Sequence, residues 1–281
     1  MKKGFLALMA GMALIAAGSA ADAKDWSKMR IGTEGAYLPW NGLDASGKLV
    51  GFELDLGRDL CRRINAECEF IAQDWDGMIP ALQSGKYDVI MAGMSVTPER
   101  RQVIDFAGPY AMDPVVFATL KGSKLLQQNL PDDKIDMAEI SPDEQKQIDA
   151  VTKALKGKTV GVQVSTIHQN MLEQMPGIDM QTYDKVDNIG LDLVSGRIDA
   201  MLADRSAIEA LIKAESGGAN DITIFGPAFT RGVLGIGVGA GVRKADTDLR
   251  EKLDKAIQEA AADGTITRLS TQWFGFDTSI R

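Results

Sequence analysis

Two ten-residue segments constrain this chain more than any other feature. SGKYDVIMAG begins at Ser84 and SGRIDAMLAD begins at Ser195, a constant offset of 111 residues. Both read Ser-Gly, a basic residue, an apolar one, Asp, and then four apolar or small residues. Each copy closes one helical pattern, supplies a strand and opens the next helix. A repeat of that kind predicts two lobes built on the same plan.

The surrounding pattern agrees. KMRIGTEG reads as a short strand entering a loop, and residues 37–51 as a loop and hairpin turning at Ala45-Ser46-Gly47. Phe52, Leu56, Leu60 and Ile64 recur every four residues, one face of a helix. CEFIAQ is a strand, DWDGMIPALQSG a helix closed by Gly85, and YDVIMAG a buried strand. The rhythm restarts near Lys158 with the strand TVGVQV, a helix from Ile167 to about Met175 capped by Ser165-Thr166, a helix over 186–194, and the strand IDAMLA. Asp204 is placed to cap a helix running to about residue 215. Strand and helix alternating in this way give an α/β fold with a mainly parallel sheet in each lobe. Residues 121–157, rich in Gln, Asp, Lys and Ser, read as a surface excursion. GVLGIGVGAGVRK reads as a strand crossing back, and residues 246–263 as a final helix on the first lobe.

The first 23 residues read as a signal peptide: Lys2 and Lys3, the apolar run GFLALMAGMALIAAG, and a small-x-small site at Ala21-Asp22-Ala23. No cysteine lies near that site, so a lipid anchor is not expected, and the exported product is expected to be soluble. The formal net charge is −8, and removing the signal peptide makes the chain slightly more acidic. That balance excludes nucleic acid and anionic membrane surfaces as natural partners. Cys61 and Cys68 are the only cysteines and His168 the only histidine. In an oxidising compartment a Cys61–Cys68 disulfide is the expected state, and three such ligands are too few for a zinc site.

Open α/β sheets bind ligands beyond the carboxyl ends of their strands. Glu34, Tyr37, Trp75 and the run from Ala92 to Arg100 fall there in the first lobe, and Gln163 to His168 with Asp204 in the second. In SVTPERR, Thr97 is a hydroxyl N-cap and Pro98 suits the first turn. Glu99 suits the positive end of the helix dipole, whereas Arg100 does not. An anionic guest between the helix end and Arg100 would account for it; a solvated surface charge is the plain alternative.

At these residues the chain resembles a known family. IGTEGAYLPWN, LVGFELDLGRDLCRRI, DWDGMIPALQSGKYDVIMAGMSVTPER and GRIDAMLAD together are similar to the periplasmic polar-amino-acid-binding proteins of ABC importers, nearest the subset binding lysine/arginine/ornithine, histidine, octopine and nopaline. The resemblance implies a two-lobed clamp that closes on one small molecule, with lobe one at 24–112 and 233–281 and lobe two at 113–232. It assigns the ligand α-carboxylate to Arg100 and the α-ammonium to Asp204, with a Ser95 hydroxyl beside it. Tyr37 and Trp75 would sandwich the ligand side chain, and Glu34 would face a distal cation. Ala92 and Gly93 stand where basic-amino-acid binders usually carry serines, Ile167 where a threonine often helps with the carboxylate, and His168 where glutamine is common. These departures leave room for a bulkier arginine derivative. Gln163 opens the lobe-two run. The resemblance further implies a monomer that needs no cofactor and hands its ligand to membrane permease subunits in the periplasm.

Catalysis finds little support. No G-x-S-x-G turn presents a nucleophile, no Walker loop occurs, and GVGAG lacks a dinucleotide-site context. The alternatives are a sensory protein docking on a membrane receptor, and an enzyme like cyclohexadienyl dehydratase, which the resembling fold also hosts.

Overall fold

The computed structural model describes residues 24–214 and 221–280. The expected signal peptide, and the end of the helix read to residue 215, lie outside the described residues. In chain order the elements begin with β1 (Lys28–Thr33), the hairpin β2 (Gly42–Leu43) and β3 (Leu49–Val50), α1 (Phe52–Arg63) and β4 (Glu67–Ala72). A 3-10 turn at Trp75–Gly77 leads into α2 (Met78–Gln83), followed by β5 (Val89–Ile90), α3 (Pro98–Val103) and β6 (Asp105–Ala111). Then come β7 (Val115–Leu120), β8 (Lys134–Asp136), α4 (Pro142–Leu155), β9 (Thr159–Gln163), α5 (Ile167–Glu173) and β10 (Asp179–Tyr183). The chain ends with α6 (Val186–Val194), β11 (Ala200–Asp204), α7 (Arg205–Ala214), β12 (Ile222–Thr230), β13 (Val238–Val242), α8 (Thr247–Ala262) and α9 (Thr265–Phe274).

Two sheets carry the fold, in the orders β4-β1-β5-β13-β6 and β10-β9-β11-β7-β12-β8. In the first, β4, β1 and β5 pair parallel and β13 runs antiparallel to both neighbours. In the second, β10, β9 and β11 pair parallel and β7 is the reversed strand. Position for position the orders coincide, with β5 matching β11 as the SGKYDVIMAG and SGRIDAMLAD segments require. The reversed strand of the first sheet, β13, comes from beyond the whole sequence of the second sheet, whereas β7 is the first strand of its own sheet in the chain. β13 is the strand expected to cross back.

Packing explains the local choices. Phe52, Leu56 and Leu60 of α1 are buried, and Trp40 sits fully buried edge-on to Phe52 and Phe274, with ring centroids 5.7 and 4.9 Å away. The Cys61–Cys68 bridge forms, tying α1 to β4 with Cα atoms 6.3 Å apart. Replacing both cysteines by serine is expected to cost about 2.5 kcal/mol, the loop-closure term for so short a loop. Urea denaturation of the double variant checks this; an unchanged midpoint would show that the bridge adds nothing to the fold.

Residues 121–157 are more than a surface excursion. β8 joins the edge of the second sheet beside β12, and α4 begins with a capping box between Ser141 and Glu144. Ile135 of β8 and Ile148, Val151 and Leu155 of α4 enter the core around Phe117 and Phe229. The segment's many polar residues lie on the outer face of a helix whose inner stripe is apolar. Asp204 does not cap α7 either. The first-turn N–H of Ser206 donates to Asp113 Oδ2 at 3.1 Å, which leaves the Asp204 carboxylate free to turn toward the other lobe.

Candidate functional site

The carboxyl ends of the two sheets face each other across a closed cleft with about 20 Å³ of free space, room for about one water. All eleven residues singled out from sequence line it, and Thr166 joins them.

Arg100 stands in the first turn of α3, where the Thr97 hydroxyl accepts its backbone N–H at 3.2 Å. Its guanidinium donates to the Ser95 carbonyl at 2.9 Å, lies 5.2 Å from the Trp75 ring centre, and reaches the Ser165 carbonyl of lobe two at 3.5 Å. Burial lowers its pKa to about 10, so it stays a cation at neutral pH. Because its partners are carbonyls, no carboxylate neutralises it directly.

Asp204 ends β11 and is buried. Its Oδ2 accepts from the Tyr37 hydroxyl at 2.8 Å, and its Oδ1 lies 3.1 Å from His168 Nε2. Tyr37 therefore does more than offer a ring face: its hydroxyl crosses from lobe one to orient the lobe-two carboxylate. Glu34, just beyond β1, accepts from Gln163 Nε2 at 2.7 Å, and the same amide nitrogen donates to the Asp184 carbonyl at 2.9 Å. Burial pushes the Glu34 carboxyl up to about 7, outweighing the Gln163 bond and the Lys185 charge, which act to lower it.

Trp75 donates its indole N–H to the Ser165 carbonyl at 3.1 Å. Ser165 holds a left-handed backbone (φ 59°), and its N–H is taken by the Gln169 side chain at 2.8 Å. Thr166 donates to the Gln163 carbonyl at 2.6 Å and caps α5, which fixes Ile167 and His168 at the helix start. Gly93 has φ 64°, and a Cβ there would lie 3.4 Å from the Tyr37 ring; with Ala92 it keeps this wall low.

A buried cation at one end and buried carboxylates elsewhere make a receptor for a zwitterion. Residues 29–276 match the bacterial extracellular solute-binding proteins, family 3. The chain belongs to that family. This solute-binding protein is 38% identical to an octopine-binding periplasmic protein of Rhizobium meliloti, over 97% of this chain and 98% of the relative. It is 37% identical to a histidine-binding periplasmic protein of Salmonella typhimurium, over 99% and 98%. Among solved structures, an ancestral arginine-binding protein bound to arginine superimposes with a TM-score of 0.74 at 32% identity, covering 89% of this chain and 99% of the other. The two-lobed fold expected from the sequence is the fold of these neighbours. Family and relatives are binding proteins, not enzymes, and the dehydratase alternative falls away.

Sequence reading missed two residues behind this site, whereas Thr166 fell inside the run from Gln163 to His168 placed at the strand ends and was also read as a helix cap. Asp113 sits behind Asp204, its carboxyl pushed up first by burial and then by the Asp204 charge. Glu53 lies beneath Gly93. For the two acids no local pattern signals the role, because their partners come from distant segments.

Proposed function

We propose that this solute-binding protein captures a cationic amino acid (arginine, ornithine, lysine or histidine) or an opine in the periplasm and delivers it to the permease subunits of an ABC importer. The clamp comprises lobe one at 24–112 and 233–281 and lobe two at 113–232. Arg100 receives the ligand carboxylate, where the fork of a guanidinium matches a carboxylate bidentately. Asp204, held by Tyr37 and His168, takes the α-ammonium beside Ser95, and Glu34 takes the distal cation. Trp75 and Tyr37 flank the side chain. Ala92, Gly93, Gln163 and Ile167 complete the walls.

The observation that carries this reading is charge matching inside one small cavity: Arg100, Asp204 and Glu34 all face it. A ligand with one carboxylate and two cationic groups neutralises all three. Titration calorimetry on protein stripped of bound ligand by unfolding and refolding tests it, with arginine, ornithine, lysine, histidine, glutamine, glutamate, octopine and nopaline. A cationic ligand or opine with micromolar to nanomolar affinity, about −8 to −12 kcal/mol, is expected. Silence across the cations with binding of glutamine or glutamate sinks the Glu34 assignment.

Glu34 also sets a pH dependence. Its carboxyl titrates near 7 in the folded protein against 4.5 ordinarily. The folded state therefore holds a proton that the unfolded chain has released, and this group's contribution to stability is lost as pH rises from below 4.5 through 7. Only the ionised carboxylate attracts a distal cation, so affinity for such a ligand rises over the upper part of that window. Calorimetry at pH 5.5 and 8.5 checks the sign; equal affinities, or tighter binding at the lower pH, would remove Glu34 from cation recognition.

A further inference from the structure

Beneath the cavity wall, Glu53 is a carboxylate that the ligand contacts do not use. It stands in the first turn of α1 and is fully buried. Three donors from separate parts of lobe one converge on it. The Gly93 N–H lies 2.8 Å from each carboxylate oxygen, the Tyr110 hydroxyl of β6 donates to Oε1, and the Asn41 amide donates to Oε2 at 2.9 Å. Asn41 in turn accepts the Gly35 N–H at 2.8 Å through its own Oδ1. Gly93 and Gly35 both hold left-handed backbones, with φ 64° and 74°. One belongs to the cavity wall and the other follows Glu34 directly.

The chemistry of the cluster is one-sided. A backbone N–H only donates, and the Asn41 nitrogen only donates, its oxygen being engaged with Gly35. Oε2 can therefore only accept, from Asn41 and Gly93, while the Tyr110 hydroxyl at Oε1 can donate or accept. Burial raises the Glu53 pKa, and the bonds from Tyr110, Gly93 and Asn41 offset only part of that rise. A glutamine here keeps an acceptor for Asn41 and Gly93 but turns an N–H toward the Tyr110 hydroxyl, which must then reverse to accept, and Gly93 loses one of its two acceptor oxygens.

We propose that Glu53 is a positioning residue for the ligand site: its carboxylate fixes Gly93 directly and Gly35 through Asn41, and so sets the place of the Ala92-Gly93 wall and of Glu34. The effect on affinity rests on the proposed function, whereas the effect on the two glycine amides does not. Tyr110 serves as the internal control, because its hydroxyl binds the same carboxylate without lining the cavity.

The test compares Glu53→Gln and Tyr110→Phe with the wild type, reading the Gly35 and Gly93 amide resonances by NMR without ligand and then L-arginine and L-histidine affinity by calorimetry. E53Q is expected to shift both glycine amides and to weaken binding about tenfold or more. Y110F is expected to lower the melting temperature yet keep affinity within about threefold, since Tyr110 does not line the cavity and the Gly93 and Asn41 bonds to Glu53 remain. Unmoved Gly35 and Gly93 resonances in E53Q overturn the proposal whatever the ligand proves to be. So does an affinity loss in Y110F matching that of E53Q, which would mark a purely structural role. If E53Q does not fold, Glu53→Asp, which keeps the charge but withdraws it by one methylene, is read against the same outcomes. A wild type that binds neither amino acid counts against the choice of ligand, and the glycine amides then decide the role of Glu53.

Discussion

Arg100→Ala is expected to abolish high-affinity binding while leaving the fold intact. The guanidinium is the cation that faces the cavity from the helix start, and it is held by the Ser95 and Ser165 carbonyls and the Trp75 ring rather than by a carboxylate. Removing it takes away the cation proposed to receive the ligand carboxylate. Truncating one member of a buried, hydrogen-bonded charge pair costs about 2–5 kcal/mol, or roughly one and a half to three and a half powers of ten in Kd. Stability should barely change, because burial already disfavours the charged form of this group and its loss removes a desolvated ion. Calorimetry and a thermal melt on the same sample check both halves. Binding within about threefold of wild type would take Arg100 out of the site, and an unfolded variant would mean that the side chain is structural.

Asp204→Asn is the second large effect. The amide keeps the shape and one acceptor for the Tyr37 hydroxyl, now 2.8 Å from Oδ2, but removes the charge that an α-ammonium needs. A loss of about 2–5 kcal/mol in ligand affinity is expected. The same substitution lets Asp113 ionise more readily, because the Asp204 charge is one of the causes holding its carboxyl up. Proton uptake on binding, read from calorimetry in buffers of different ionisation enthalpy, should therefore differ between variant and wild type. Unchanged affinity would assign the ammonium to another group.

The general plan and most of the cavity lining were legible before any coordinates. The matched segments from Ser84 and Ser195 announced the two lobes, and the misfit of Arg100 at a helix start singled out a residue that lines the cavity. Periodicity could not reveal pairings between groups remote in sequence. Tyr37 and Asp204 are 167 residues apart, and nothing around either one signals that the hydroxyl crosses the cleft. Glu53 reads locally as an ordinary acid in the first turn of a helix; only its meeting with Gly93, Asn41 and Tyr110 makes it a buried hub. Residues 121–157 were misread for a different reason. Ile148, Val151 and Leu155 follow helical spacing, but the polar residues among them dominate the composition.

The reversed strand of the first sheet has a consequence for how the protein is made. β13 lies between β5 and the edge strand β6, yet it is supplied by residues 238–242, close to the end of the chain. A polypeptide threading outward from its N-terminus thus carries β1, β4, β5 and β6 for most of its passage without the strand that joins the last of them to the others. Non-local pairings of this kind form late. Lobe one therefore cannot be completed until nearly the whole chain is available, and the pairing of β6 to the rest of its sheet is among the last contacts to form.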